Sequence, residues 1–181
     1  MNWDIQLFHS LNNLAGQTAF GDTVIVFFAT YLAFILVIAY GLYFVFIKSE
    51  LSIRTRWTRF LGALCAGLFA RVAIVSPIRY FIPRDRPFLV PSLNVHDLFV
   101  INEASFPSGH AAFFFAFSTV VFRHDWRVGT LFYFLTILIC AARVAAGVHY
   151  PSDILAGAIV GILVGLVMHW IIKQMRKKKS L

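Results

Sequence analysis

Two histidines, one carboxylate and a set of arginines fall into three short clusters whose residue types suit phosphate chemistry. The first runs from Arg79 through Arg84 to Arg86-Pro87, the second is Pro107-Ser108-Gly109-His110, and the third comprises Arg143, His149 and Asp153. Arginine fits phosphate because its planar fork donates several charge-assisted hydrogen bonds and stays charged at any relevant pH. His149 precedes Asp153 by four residues. A carboxylate bonded to one imidazole nitrogen fixes the tautomer and leaves the other nitrogen free to attack. Pro107-Ser108-Gly109 reads as a helix start with Ser108 as N-cap. Such an end offers free N–H groups and positive dipole to an anion, and Gly109 lets the backbone approach it closely. His110 then sits in the first turn. Together these groups can bind a phosphate, attack it and protonate its leaving group.

Outside the clusters the chemistry thins. No Asp/Glu group suits magnesium and no Cys/His spacing suits zinc, so no metal or cofactor is expected. Arg84 either supports the phosphate or meets lipid headgroups. Arg71 either snorkels outward or lines a cavity beneath the site, and the cavity is the expectation. His9, His96, His124 and His169 belong to no cluster, and Cys65 and Cys140 are read as buried apolar residues without a disulfide.

The elements that must position these residues are membrane helices. The 181 residues are 60% hydrophobic and only 13% charged, whereas soluble domains carry roughly 25% charged residues. Lipid must be part of the solvent. A hydrocarbon core of about 30 Å needs roughly 20 apolar helical residues. Five segments answer to that: Thr23–Ile47, Trp57–Ile78, Gly109–Phe122, Val128–Val148 and Ile154–Ile172. The third is short, so its first turn is expected to reach back to Pro107. Trp3–Leu14 reads as an amphipathic helix lying in the interface, with Trp3, Leu7, Phe8, Leu11 and Leu14 on its apolar face and Asp4 and Asn12 elsewhere. It has no cationic leader and no cleavage site, so the first span is read as an uncleaved signal. Gly157, Gly161 and Gly165 form a small-residue stripe suited to close helix packing. The expected fold is one all-α membrane domain over residues 1–181.

Charge then orients it. Lys48, Arg54, Arg56 and Arg59, then Arg123 and Arg127, then Lys173 to Lys179 fall on one side of five spans. By the positive-inside rule that side is cytoplasmic. Arg71, Arg79, Arg84, Arg86 and Arg143 lie at or near the other face, where the rule disfavours them, and an anionic ligand there is the economical reason. The net charge of +8 is therefore no sign of nucleic-acid binding, since no aromatic-interleaved basic surface accompanies it. The segment Tyr80–Phe106 is long for a loop and is expected to help form a headgroup pocket, with the apolar run Leu98–Ile101 dipping into the interface.

The three clusters resemble the signature of the type 2 phosphatidic acid phosphatase superfamily: Lys-x6-Arg-Pro, Pro-Ser-Gly-His, and Ser-Arg-x5-His-x3-Asp. Here they read Arg79-x6-Arg86-Pro87, Pro107-Ser108-Gly109-His110, and Ala142-Arg143-x5-His149-x3-Asp153. Arg79 stands in place of the family lysine and Ala142 in place of the serine. The resemblance implies His149 as nucleophile, Asp153 as its orienting partner, and His110 as proton donor and later activator of water. It implies Arg79, Arg86, Ser108, Gly109 and Arg143 as phosphate ligands. It further implies a multi-pass plasma-membrane enzyme whose site opens outside the cytoplasm and whose substrate is a lipid (pyro)phosphate. The overall likeness is greatest to small undecaprenyl-pyrophosphate phosphatases. Phosphatidylglycerophosphate phosphatase and lipid A 1-phosphatase are the alternatives. A non-catalytic anion or lipid-phosphate carrier would use the same arginines but has no use for a His149–Asp153 pair, and a vanadate-dependent oxidase would need peroxide chemistry.

Overall fold

The computed structural model describes residues 3–46, 51–99 and 103–177. Among them every regular element is helical. We name the helices α1 (Trp3–Asn12), α2 (Ala19–Phe46), α3 (Ile53–Phe81), α4 (Gly109–His124), α5 (Trp126–Ala145) and α6 (Pro151–Lys177). Four of these, α2, α3, α5 and α6, are long and apolar enough to cross a membrane. Their outward residues are apolar: Phe34, Ile38, Leu61, Val72, Phe134, Ile159 and Leu163 are all at least half exposed, an arrangement sustainable only in lipid.

α4 is different. Its 16 residues extend only about 24 Å, short of the bilayer core. They are nevertheless almost wholly buried, Ala111 to Phe114 and Ala116 to Val121 included, because α3, α5 and α6 surround the helix. A helix sheathed by longer ones need not match the bilayer itself. Its Phe113, Phe114 and Phe117 are core residues rather than lipid-facing ones. The sequence expectation that its first turn reaches back to Pro107 is corrected: the helix begins at Gly109. Ser108 is its N-cap, accepting from Ala111 N–H at 3.4 Å, and Pro107 follows a cis peptide.

The glycine stripe docks α6 onto α4 within the monomer. A Cβ on Gly157 would stand 2.9 Å from Ala111 Cβ, and one on Gly161 would stand 2.9 Å from Ala116 N. Gly165 faces Thr119 in the same way. Close backbone approach here brings the first turns of α4 and α6 together, and Ser108 N–H donates to Asp153 O at 3.0 Å. At the opposite end, Tyr40, Phe44, Phe117 and Phe132 interlock edge to face around Tyr40.

Helix boundaries differ from those expected by a few residues. α5 stops at Ala145 rather than Val148 because Gly147 takes a left-handed backbone with φ +77°, the conformation that ends helices at glycine. α1 corrects the amphipathic reading. Trp3, Leu7 and Leu14 do face outward, but Asp4 and Asn12, assigned to the polar side, are buried with Phe8 against the bundle. Asn12 holds it there, donating to His96 O at 2.8 Å and Ala145 O at 2.9 Å and accepting from His96 N–H at 3.0 Å. Ile47, Lys48, Lys178 and Lys179, with Val100 and Ile101 of the apolar run, lie outside the described residues.

Candidate active site

His149 lies in the turn between α5 and α6, where Val148 N–H bonds back to Arg143 O at 3.2 Å. Asp153, in the first turn of α6, reaches back to it. Its Oδ2 lies 3.5 Å from His149 Nδ1 and accepts from Tyr150 N–H at 2.9 Å. Ser105 Oγ donates to the same Oδ2 at 2.5 Å and sits 3.4 Å from His149 Nδ1. The other ring nitrogen, Nε2, faces Arg86 Nη1 at 3.5 Å. A guanidinium only donates and a carboxylate only accepts. Nδ1 therefore carries the proton and Nε2 presents its lone pair.

Burial strengthens that assignment. His149 is 1% exposed, and its desolvation, opposed by Asp153 but reinforced by Arg143 and Arg86, pushes its pKa down to about 3. Neutral imidazole is the form that can attack.

Arg86 is itself sealed in, at 2% exposure. It donates to Val148 O and Glu103 O, each at 2.7 Å. Burial first, then the charge of Arg79, pushes its pKa down to about 10, so it remains a cation at neutral pH. Arg79 donates to Pro107 O at 3.1 Å and pairs with Glu103 Oε2 at 2.7 Å. Its Nη2 would stand 3.6 Å from a Cβ on Gly109, and Arg71 Nε 3.7 Å. These are ordinary contact distances. The start of α4 is thus roofed by two cations with room between.

His110 lies among Arg143, Arg71, His149 and Arg79 in the electrostatic field of the site. Arg143 is 5% exposed, yet among the described residues its buried Nε has no hydrogen-bond partner. A donor so placed can take a further acceptor, such as a phosphate oxygen. Arg71, His110 and Arg143 together line a cavity of about 320 Å3 whose remaining wall is Thr30, Ala33, Phe34, Val37, Phe113 and Phe114. Cations meet hydrocarbon there.

Arg84 stands behind the pair rather than over it. It donates to Asp153 Oδ1 and Ser152 Oγ, each at 2.7 Å, and to Asp4 Oδ2 at 3.0 Å, with its guanidinium 3.8 Å above the Tyr150 ring. Burial alone would depress its pKa, but Asp153 and Asp4 hold it above the ordinary arginine value. Asp4 completes the buttress by accepting from Ser152 N–H at 2.8 Å and Ser152 Oγ at 2.6 Å.

The structure therefore brings together every residue expected from the sequence, with Arg84 on the far side of Asp153 and Arg71 in the cavity. Four others went unnoticed in the sequence: Asp4, Glu103, Ser105 and Ser152. Asp4 left a trace. It is one of only eight acidic residues in the chain, it lies in an amphipathic segment without Lys or Arg, and it shares a four-residue register with Phe8 and Asn12. Ser105 left none. It reaches Asp153 because its N–H bonds Arg84 O at 2.8 Å, a loop pairing no local pattern announces.

Residues 60–177 match the PAP2 superfamily. The chain belongs to that family. Among superfamily relatives, it is 27% identical over 172 residues to the bacitracin transport permease protein BcrC of Bacillus licheniformis, covering 92% of this chain and 79% of the relative. It is 28% identical over 170 residues to the undecaprenyl-diphosphatase BcrC of Bacillus subtilis, covering 92% and 82%. The crystal structure of Aquifex aeolicus LpxE superposes with a TM-score of 0.72 at 26% identity, covering 93% of this chain and 95% of that one.

Proposed function

We propose that this lipid phosphatase hydrolyses undecaprenyl pyrophosphate to undecaprenyl phosphate through a phosphohistidine. The observation that carries the chemistry is the opposed partnering of His149, with Nδ1 on Asp153 and Nε2 turned to Arg86. The substrate reading draws on the undecaprenyl-diphosphatase relative. The apolar cavity beside Arg143 and His110 supports a substrate that arrives from the bilayer.

In this reading residues 1–181 form one domain of five membrane helices, counting the sheathed α4, with α1 in the interface. The site opens at the extracytoplasmic face of the plasma membrane, opposite Arg54, Arg56, Arg59, Arg123, Arg127 and Lys173. Substrate phosphate binds between Arg79, Arg86, Arg143, the hydroxyl of Ser108, whose N–H is taken by Asp153 O, and the N–H of Gly109. His149 Nε2 attacks phosphorus and the bond to the leaving oxygen breaks, its electron pair staying on that oxygen. His110 protonates the leaving group. Water then attacks the phosphohistidine, His110 takes the water proton, and the N–P bond breaks to return the lone pair to Nε2. Asp153 holds Nδ1–H throughout and stabilises the charged ring. The arginines stabilise the spreading negative charge, as positioned cations do in phosphoryl transfer.

A carrier is the rival, since one similar relative is named a transport permease protein. Carrying a lipid phosphate does not require a buried neutral imidazole backed by a carboxylate. The test is phosphate release by purified protein in detergent from undecaprenyl pyrophosphate, phosphatidylglycerophosphate and lipid A 1-phosphate. Fastest release from the first is expected. Preference for either of the others would reassign the substrate, and binding without release from any would favour the carrier.

A further inference from the structure

The arginines of the site divide into two kinds. Arg79 and Arg86 spend their donors largely on the protein: Arg79 on Pro107 O and Glu103, Arg86 on Glu103 O, Val148 O and Ala104 O. Arg71 and Arg143 do not. Arg143 has its buried Nε unpartnered, and no hydrogen bond or ion pair engages the Arg71 guanidinium among the described residues. Cations are costly at membrane depth without an anion. Both line the same cavity, on the side where the wall turns to Phe34, Val37 and Phe113.

That cavity also coincides with two local departures from α geometry. Thr30 belongs to the π-helical turn Phe27–Tyr31 of α2, and Arg71 to the π-helical segment Ala70–Val75 of α3. Each widened turn shifts the helix face by a residue's worth of rotation, and such turns concentrate at functional sites. Here both converge on one space. The result is a cationic step between the phosphate cradle at the start of α4 and an apolar trough. Arg71 occupies that step, with its Nε near Gly109.

A pyrophosphate lipid has a matching order of parts: a terminal phosphate, a second phosphate and a hydrocarbon tail. With the terminal phosphate at His149 and the tail along Phe34 and Val37, the second phosphate meets Arg71. We propose that Arg71 binds this lipid-linked phosphate and makes the site selective for lipid pyrophosphates over lipid monophosphates. The inference rests on the pyrophosphatase reading above. As His149 Nε2 bonds to the terminal phosphorus, the bridging P–O bond breaks and its electron pair stays on the bridging oxygen. That oxygen becomes part of the departing lipid monophosphate, whose negative charge grows during the step. Arg71 offsets the growing charge, so its contribution is larger in the transition state than in the bound ground state.

The test uses one tail with two heads: farnesyl pyrophosphate and farnesyl phosphate in detergent, with wild type, Arg71→Gln and Arg71→Lys. The ratio of kcat/KM on pyrophosphate to that on monophosphate should fall about 10- to 100-fold in Arg71→Gln, the worth of one charge-assisted hydrogen bond. Most of the loss should appear in kcat, and Arg71→Lys should recover part of it. An unchanged ratio, whether both activities fall together or neither falls, would overturn the assignment. A wild-type enzyme that releases phosphate from the monophosphate alone would instead remove the pyrophosphatase reading, and this inference with it. Monophosphate turnover by each variant also reports that it has folded.

Discussion

Arg84 donates to Asp153 Oδ1 at 2.7 Å while the opposite carboxylate oxygen, Oδ2, faces His149. The arginine therefore acts on the proposed nucleophile through the carboxylate, and Asp4 holds that arginine from α1. Arg84→Gln should lower kcat about 10- to 100-fold and leave KM within about threefold, as expected when orientation rather than binding is lost. Asp4→Asn should act in the same direction but less. Steady-state kinetics on any accepted lipid phosphate decides the matter. A raised KM with kcat intact would return Arg84 to the phosphate.

The stripe that docks α6 on α4 should be as sensitive as the chemistry. Gly161→Leu forces bulk against Ala116 N and Phe115 Cβ, each 2.9 Å from a Cβ at that position. Overpacking costs about 1–3 kcal/mol, so thermal unfolding in detergent should shift down and activity should fall as His110 and His149 separate. Leu163→Ala, two residues along on the lipid-facing side, should change stability by less than about 0.5 kcal/mol. Equal tolerance at both positions would mean that the helices do not pack this way.

Acid should weaken the fold through His149. With a folded-state pKa of about 3 against an ordinary value near 6.5, the unfolded chain binds a proton that the folded chain excludes. The contribution of the neutral ring is therefore intact above about pH 6.5 and is lost progressively as pH falls toward 3. His149→Gln should flatten that part of the stability profile, measured by unfolding in detergent between pH 7 and 4. An unaltered profile would mean that the ring is not held neutral.

Orientation can be read directly. A reporter active only outside the cytoplasm should work when inserted between Pro91 and Val95, and the same reporter fused after Lys179 should be silent. The reverse pattern would put the site in the cytoplasm.

The legible part of this chain was its period and its punctuation. Pro107-Ser108-Gly109 announced the start of α4, and i,i+4 spacing announced His149 with Asp153. Gly157, Gly161 and Gly165 announced a packed face. What stayed hidden depended on contacts between segments far apart in sequence. Asp4 and Ser152 are separated by 148 positions, and Glu103 meets Arg79 across a loop. Hydropathy misjudged α1 because two polar residues on its inner side find hydrogen bonds in the protein, and polar residues so satisfied bury without penalty. It found α4 short without giving the reason, since sheathing by neighbouring helices leaves no mark in one segment's composition.

In the proposed mechanism His149 carries the phosphoryl group. Rapid quench with substrate radiolabelled in the phosphate that is released, followed by mapping of the labelled peptide, tests it most directly. Acid-labile label is expected on His149 and none in His149→Ala. Label should persist in His110→Ala with a substrate whose leaving group needs little protonation. Label on His110, or full turnover with no histidine labelled in any variant, would contradict it.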